Sequence, residues 1–63
     1  MSYLAKADEI PTGYIYPWKS GEVVLILGEI DGMEGHAVIV LKDGRTVFGY
    51  HTDNFTRLTE DEL

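Results

Sequence analysis

The fold of this chain is decided by the stretch His36-Ala37-Val38-Ile39-Val40-Leu41-Lys42-Asp43-Gly44-Arg45-Thr46-Val47-Phe48-Gly49-Tyr50. Its first six residues have the length of a strand and, after His36, form an apolar run with three β-branched residues. Residues 46–50 also favour a strand. Asp43-Gly44 lies between the two runs, and Asp-Gly in that position is the strongest short-range signal for a β-hairpin. The stretch therefore predicts two strands joined by a tight turn.

The regions on either side extend this pattern. Residues 23–27 form another apolar run and predict a third strand. Residues 28–35 contain three glycines and three acids, which indicates an exposed loop. After residue 51 the pattern breaks over residues 52–54, and residues 55–58 predict a last short strand.

The N-terminal part gives weaker signals. Residues 5–9 have the composition of a single helical turn, which Pro11 and Gly13 would end. We therefore expect residues 1–13 to form a loosely ordered arm or the first part of a long loop. Residues 14–16 are β-prone and short.

Composition excludes several classes of protein. The chain has 63 residues, enough for one domain, and no cysteine, which rules out disulfides, thiolate zinc sites and cysteine nucleophiles. There is no apolar run of about 20 residues and no secretory leader, so we expect a cytoplasmic protein that does not enter a membrane. The net charge of −6 argues against direct nucleic-acid binding and favours a protein partner with a basic surface.

Two segments resemble those of SH3 domains. Tyr16-x-Trp18-x-x-Gly21-Glu22 leads into the strand at residues 23–27, and Gly49 is followed by Asn54-Phe55 at the spacing of the closing 3₁₀ turn in that family. The resemblance implies an all-β fold, a small five-stranded SH3-like barrel with a 3₁₀ turn near residues 52–55. Residues 14–63 would form the barrel with a short acidic tail, and residues 1–13 would form the arm or the first part of an RT-type loop.

The departures from that family narrow the functional expectation. Residues 4–8 lack the two groove tyrosines of peptide-binding SH3 domains, and His36-Ala37 stands where those domains open a strand with tryptophan. Recognition of proline-rich peptides is therefore not implied. Gly21-Glu22, Gly32 and Gly35 also resemble a KOW motif, but KOW proteins bring basic loops to RNA and residues 28–35 are acidic.

Candidate binding residues are aromatic or acidic. The positions that match Asn54 and Phe55 form one wall of the ligand groove in SH3 domains, and core closure is the alternative role for Phe55. Tyr14 and Tyr50 are further candidates for contact area. Tyr16 and Trp18 are expected to cover the core. The acids of residues 28–35 would select a basic ligand by charge complementarity; they are Glu29, Asp31 and Glu34.

Catalytic and metal-binding signals are weak. His36 and His51 are the only histidines, and with Asp53 they could hold a metal only if the fold brought them together. A partly buried, hydrogen-bonded histidine is the simpler interpretation of His51. The acids lie in loops or at the tail rather than in the concave, partly dry pocket that acid–base catalysis needs, and Ser20 has no histidine near it in the sequence. We expect no enzyme activity and no cofactor.

The sequence thus predicts a small non-enzymatic binding module that recognises another protein through an acidic loop and an aromatic edge. It is expected to be a monomer or a weak homo-oligomer. One alternative is an acidic inhibitor, of the kind phages or plasmids encode, that occupies a basic nucleic-acid channel of a host enzyme. Another alternative is a KOW-type factor associated with transcription or translation.

Overall fold

Residues 2–62 are described by a computed structural model, without the side chain of Glu62. The strands are β1 (Tyr3–Ala7), β2 (Val23–Ile30), β3 (Met33–Val40), β4 (Thr46–His51) and β5 (Phe55–Arg57). Two 3₁₀ turns, Thr52–Asn54 and Glu60–Glu62, complete the regular structure. Over residues 2–62 no helix has the length and apolarity needed to cross a membrane.

The five strands form one antiparallel sheet in the order β4-β3-β2-β1-β5. The edge strands β4 and β5 are joined only by the turn Thr52–Asn54. A flat sheet would hold these edges about 19 Å apart at the usual strand spacing. Because a 3₁₀ turn rises only about 2 Å per residue, the sheet must curl until its edges approach each other. The predicted all-β fold of five strands, with a 3₁₀ turn near residues 52–55, is confirmed.

The N-terminal arm is the first correction to the sequence-based expectation. Tyr3–Ala7 is a strand rather than a loosely ordered arm or a helical turn, and it pairs with both β2 and β5. Ala5 and Ala7 are buried while Leu4 and Lys6 are exposed, so buried and exposed side chains alternate along the strand and one of its faces contacts the core. Two alanines make this alternation too weak to stand out in the sequence. Residues 14–16 are β-prone in sequence but form no strand.

The predicted loop at residues 28–35 is the second correction. Strands β2 and β3 continue through it and pair Ile30 with Met33, which leaves only Asp31-Gly32 as the turn. Gly32 has a φ of +79° there, which a side chain would strain. In contrast, the hairpin predicted at residues 42–45 is confirmed, with Leu41 donating to the carbonyl of Arg45 at 2.7 Å.

The core lies inside the curled sheet. Strands β1, β2 and β3 contribute small and β-branched side chains, and the loop before β2 contributes Trp18, which is 3% exposed. The prediction that Trp18 covers the core is confirmed. The buried residues are Ala5, Ala7, Trp18, Val24, Ile26, Ala37, Ile39, Leu41 and Phe55. The indole of Trp18 contacts the rings of Tyr16, Tyr50 and Phe55.

One carboxylate joins two turns at one end of the barrel. Glu22 Oε1 accepts the backbone N–H of Lys19 at 3.1 Å, and its Oε2 accepts the backbone N–H of Lys42 at 3.0 Å. The first bond lies within the turn that enters β2, and the second reaches the hairpin between β3 and β4. Hydrogen bonds to a charged acceptor are stronger than neutral ones, so Glu22 ties the two turns together.

We expect Glu22→Ala to lower the free energy of unfolding by about 2 kcal/mol, because two backbone donors lose a charged acceptor. Glu22→Gln should cost about half as much, since its amide has one acceptor oxygen in place of two. Urea unfolding of both variants measures the loss. Glu29→Ala is the matched control, because Glu29 is exposed and makes no such bonds. A loss for Glu22→Ala no larger than that of the control would contradict the role of Glu22.

A second local constraint joins β3 to the 3₁₀ turn at residues 52–54. The His51 ring lies against the Cα of Gly35, where an added Cβ would come within 2.4 Å of Nε2. His51 Nδ1 also accepts the backbone N–H of Asp53 at 3.1 Å and so caps the turn. The ring therefore cannot move away without loss of that cap.

Gly35→Ala should destabilise the protein by about 1 kcal/mol more than Gly32→Ala. Both glycines have a φ of +79°, so both variants carry the same backbone strain, but a Cβ at Gly32 meets nothing within 4 Å. The difference in their free energies of unfolding isolates the contact with His51. Equal losses in the two variants would show that the ring moves at no cost.

Candidate functional site

A set of stacked aromatic rings runs from the core to the surface. The Tyr16 ring stacks on Trp18 with centroids 4.7 Å apart and an interplanar angle of 5°, and Tyr14 lies 6.3 Å beyond Tyr16. Tyr50 of β4 meets Tyr16 and Trp18 edge-on, with centroids at 5.9 and 4.8 Å. The buried end is anchored by Phe55, whose ring centroid is 4.7 Å from that of Trp18. Stacked and edge-on rings hold each other in place, so the outermost ring projects from a rigid base.

A groove of about 270 Å³ lies beside these rings. The loop between β1 and β2 supplies one wall and the 3₁₀ turn before β5 supplies the other. The two walls are held together where the backbone N–H of Asp8 donates to the carbonyl of Asn54 at 2.9 Å. The lining residues are Asp8, Glu9, Ile10, Pro11, Tyr14, Tyr16, Trp18, Asp53 and Asn54.

The groove is acidic. Its lining carries the carboxyl groups of Asp8, Glu9 and Asp53, and none of its lining residues is a lysine or arginine. Asp8 accepts the hydroxyl of Thr56 at 2.7 Å, which leaves its charge without a cation. Glu9 makes no ion pair with any part of residues 2–62. Asp53 lies beside the His51 ring, whose Nδ1 is 3.4 Å from Asp53 Oδ2 and accepts the backbone N–H of Asp53. The three carboxylates create a negative potential in a concave, partly apolar site.

The hairpin acids lie outside this lining. Glu29 pairs with Ala37, which pairs with Tyr50, so Glu29 is on the same face of the sheet as the aromatic rings and two strands away from Tyr50. Asp31 and Glu34 are exposed at and beside the tip of the hairpin between β2 and β3. The structure therefore separates these acids from the groove itself, although Glu29 is on the groove's side of the sheet.

The predicted contact residues divide into three groups. Tyr14 is 62% exposed and lines the groove together with Asn54, whose Nδ2 donates to the carbonyl of His51 at 2.9 Å. Tyr50 is half-buried and supports the rings rather than lining the groove. Phe55 is 8% exposed and packs on Trp18, so its assignment as a contact residue is wrong and it belongs to the core.

Sequence reasoning left Asp8, Glu9 and Asp53 out of the candidate contact residues. Asp53 is next to Asn54, so its position in the groove follows directly once Asn54 is assigned to a groove wall. Asp8 and Glu9 lie in the loop that follows β1, and the sequence pattern indicated this loop only weakly.

A larger cleft of about 470 Å³ lies where the turn before β2 meets the hairpin between β3 and β4. Arg45 Nε donates to Asp43 Oδ2 at 2.7 Å, and Arg45 Nη2 donates to the carbonyl of Pro17 at 3.1 Å. The backbone N–H of Arg45 and then its side chain lower the pKa of Asp43 below its ordinary value. Both carboxylates of this cleft, Glu22 and Asp43, are thus used within the fold. The smaller groove, with its unneutralised acids and exposed ring, is the better candidate site.

The structure brings the two histidines together. The rings of His36 and His51 meet edge-on with centroids 5.2 Å apart, and Asp53 Oδ2 is 3.4 Å from His51 Nδ1. His36 Nδ1 is 3.1 Å from the carbonyl oxygen of Glu34, and His51 Nδ1 already accepts a backbone N–H. Within residues 2–62, histidines and carboxylates form no group of three or more that could hold a metal ion.

Comparisons of the chain with protein-family models, with curated proteins and with solved structures found no match. The geometry of the groove and the charge of its lining are therefore the basis for a functional proposal.

Proposed function

We propose that this protein is a non-enzymatic binding module that recognises a partner protein with a basic surface, and that the groove lined by Asp8, Glu9 and Tyr14 receives an extended segment of that partner. The observation that carries the proposal is the presence, in one groove, of three carboxylates with no lysine or arginine among the lining residues and of an exposed ring on a rigid base.

Each component of the groove has a binding role. The carboxylates of Asp8, Glu9 and Asp53 would pair with lysine or arginine side chains and accelerate the encounter at low salt. The exposed face of Tyr14 would contact an apolar or cationic group, and tyrosine offers such area at a low cost in conformational entropy. Asn54, on the opposite wall, would donate to or accept from the partner's backbone.

The acids of the hairpin would act at longer range. Glu29, Asp31 and Glu34 are exposed and lie beyond the groove lining, so they would steer a basic partner rather than determine its final position. Reversal of their charges should therefore slow association more than it speeds dissociation.

Charge reversal in the groove tests the proposal. An arginine-containing extended peptide, titrated into the labelled protein and followed by NMR, should shift the resonances of Tyr14, Asn54 and the Trp18 indole. Glu9→Lys with Asp53→Lys should weaken that binding at least about tenfold, because two attractive charges become repulsive. Glu60→Lys with Asp61→Lys changes the net charge equally at the exposed tail and should weaken it much less. An equal loss in the two double variants would place binding outside the groove.

The exposed ring has its own test. Tyr14→Ala should weaken peptide binding about tenfold, while the fold remains intact because the ring is exposed. Ile15→Ala is the matched control, since Ile15 is the adjacent residue and is 95% exposed. If the two variants bind the peptide equally, Tyr14 does not contact it.

The inhibitor and KOW-type alternatives predict different partners. An acidic inhibitor of a nucleic-acid enzyme would bind a DNA- or RNA-binding protein and would be displaced by its nucleic acid. A KOW-type factor would bind RNA directly, with an affinity that falls steeply with salt. Pull-down from a lysate with and without added nucleic acid, together with direct RNA titration, separates these outcomes from peptide recognition.

A further inference from the structure

The lysine and arginine residues of this acidic chain are concentrated at the larger cleft, between the turn before β2 and the hairpin of β3 and β4. The sequence has five such residues, and three of them line this cleft: Lys19, Lys42 and Arg45. A fourth, Lys6, lies beside it, because a Cβ on the lining residue Gly21 would be 3.8 Å from Lys6 Cε. The fifth, Arg57, lies elsewhere, with its guanidinium over the Tyr3 ring. We call this site the cationic cleft.

The carboxylates of the cationic cleft leave much of its positive charge unneutralised. Glu22 accepts two backbone N–H groups, and Asp43 accepts the backbone N–H and the Nε–H of Arg45. The ammonium groups of the three lysines make no hydrogen bond and no ion pair with any group in residues 2–62. Four cations and two carboxylates leave a local charge of +2 on a chain whose net charge is −6.

Uncommitted hydrogen-bond donors add to this charge. Ser20 Oγ accepts the backbone N–H of Ile10 at 2.9 Å, but its own hydroxyl hydrogen meets no acceptor within residues 2–62. Arg45 uses Nε and Nη2 within the fold, and its Nη1 makes no bond in the same part of the chain. The bonds of Glu22 and Arg45 hold the two walls together. The cleft therefore offers several donors to an anion that has more than one oxygen.

A phosphate monoester fits this combination of charge and donors. At neutral pH it carries a charge between about −1.5 and −2 and three strong acceptor oxygens. That charge matches the local charge of the cleft, whereas a carboxylate or a phosphodiester supplies only one negative charge. Lysine binds phosphate as a point charge, and arginine binds it through directed hydrogen bonds.

The rest of the protein restricts the source of that phosphate. Nucleic acids and anionic membranes present many negative charges over a wide area, so the net charge of −6 opposes their approach. The lining of the cleft includes no aromatic ring on which a nucleotide base could stack. A single phosphate group on a protein side chain can enter the cleft without bringing further negative charge to the acidic surface.

We infer that the cationic cleft binds the phosphate group of a phosphorylated serine or threonine side chain on a partner protein. The lysines would supply most of the charge, while Ser20 and Arg45 would donate hydrogen bonds to the phosphate oxygens. The cleft shares no lining residue with the acidic groove beside Tyr14, so the two sites are independent of each other. Because the cations are exposed, binding of an isolated phosphate group should be weak and should weaken further with salt.

Titration of short peptides into the isotope-labelled protein, followed by NMR, tests the inference. A tripeptide with blocked ends and a central phosphoserine between two glycines should bind with a dissociation constant on the order of 1 mM at low salt. It should shift the amide resonances of Lys19, Ser20 and Lys42. The unphosphorylated peptide should bind at least about tenfold more weakly, because it lacks the charged group.

Charge removal at the cleft locates the binding. Lys42→Gln should weaken binding of the phosphopeptide about threefold, and Lys19→Gln with Lys42→Gln should weaken it at least about tenfold. Arg57→Gln is the matched control for the single variant, because it removes one exposed positive charge that does not line the cleft. Glu22 binds the backbone N–H groups of both lysines, so their side chains can be replaced without loss of those bonds, and unfolding curves should confirm the fold.

Three results would overturn the inference. The first is equal binding of the phosphorylated and unphosphorylated peptides, and the second is an equal loss in Lys42→Gln and Arg57→Gln. The third is tighter binding of inorganic phosphate, or of a single-stranded oligonucleotide, than of the phosphopeptide. It would assign the cleft to the free ion or to nucleic acid instead of a phosphorylated protein.

Discussion

The packing of the Trp18 side chain inside the curled sheet is the contact on which both the barrel and the groove depend. Its ring belongs to a core that a chain of 63 residues without disulfides must build from packing alone. The same ring supports Tyr16 and Tyr50, and through Tyr16 it holds Tyr14 at the surface. The stability of the core and the position of the exposed Tyr14 ring therefore depend on one side chain.

The protein presents two surfaces of opposite character. The groove beside Tyr14 is concave, acidic and rimmed by loops, whereas the outward side of β2 and β4 is built on strands and exposes Leu27 and Phe48. For the basic partner proposed for the groove, Coulomb attraction would be the main contribution, so its binding would weaken as salt is added.

The features predicted correctly from the sequence are those with a strong local cause. Asp43-Gly44 between two apolar runs predicts its hairpin because a tight turn depends on those two residues. Strand β1 was not predicted because its buried positions are alanines, which give a weak apolar pattern. It forms by pairing with strands that are distant in the sequence. Phe55 was assigned to a groove wall by analogy with SH3 domains, but its ring packs against Trp18 in the core. Asp53 lines the groove because the chain turns at residues 52–54, where the two edge strands of the curled sheet are joined.

The curvature that brings the two edges of the sheet together also forms the groove. Irregular pairing at Leu27 and Gly49 bends β2 and β4, and such bulges increase the local twist of a sheet. The edge strands are joined by the turn Thr52–Asn54, and this turn supplies Asp53 and Asn54 to one wall of the groove. The opposite wall is the loop after β1, whose Asp8 donates its backbone N–H to the carbonyl of Asn54. A flat sheet of the same five strands would hold these two walls apart, so the groove exists because the sheet curls.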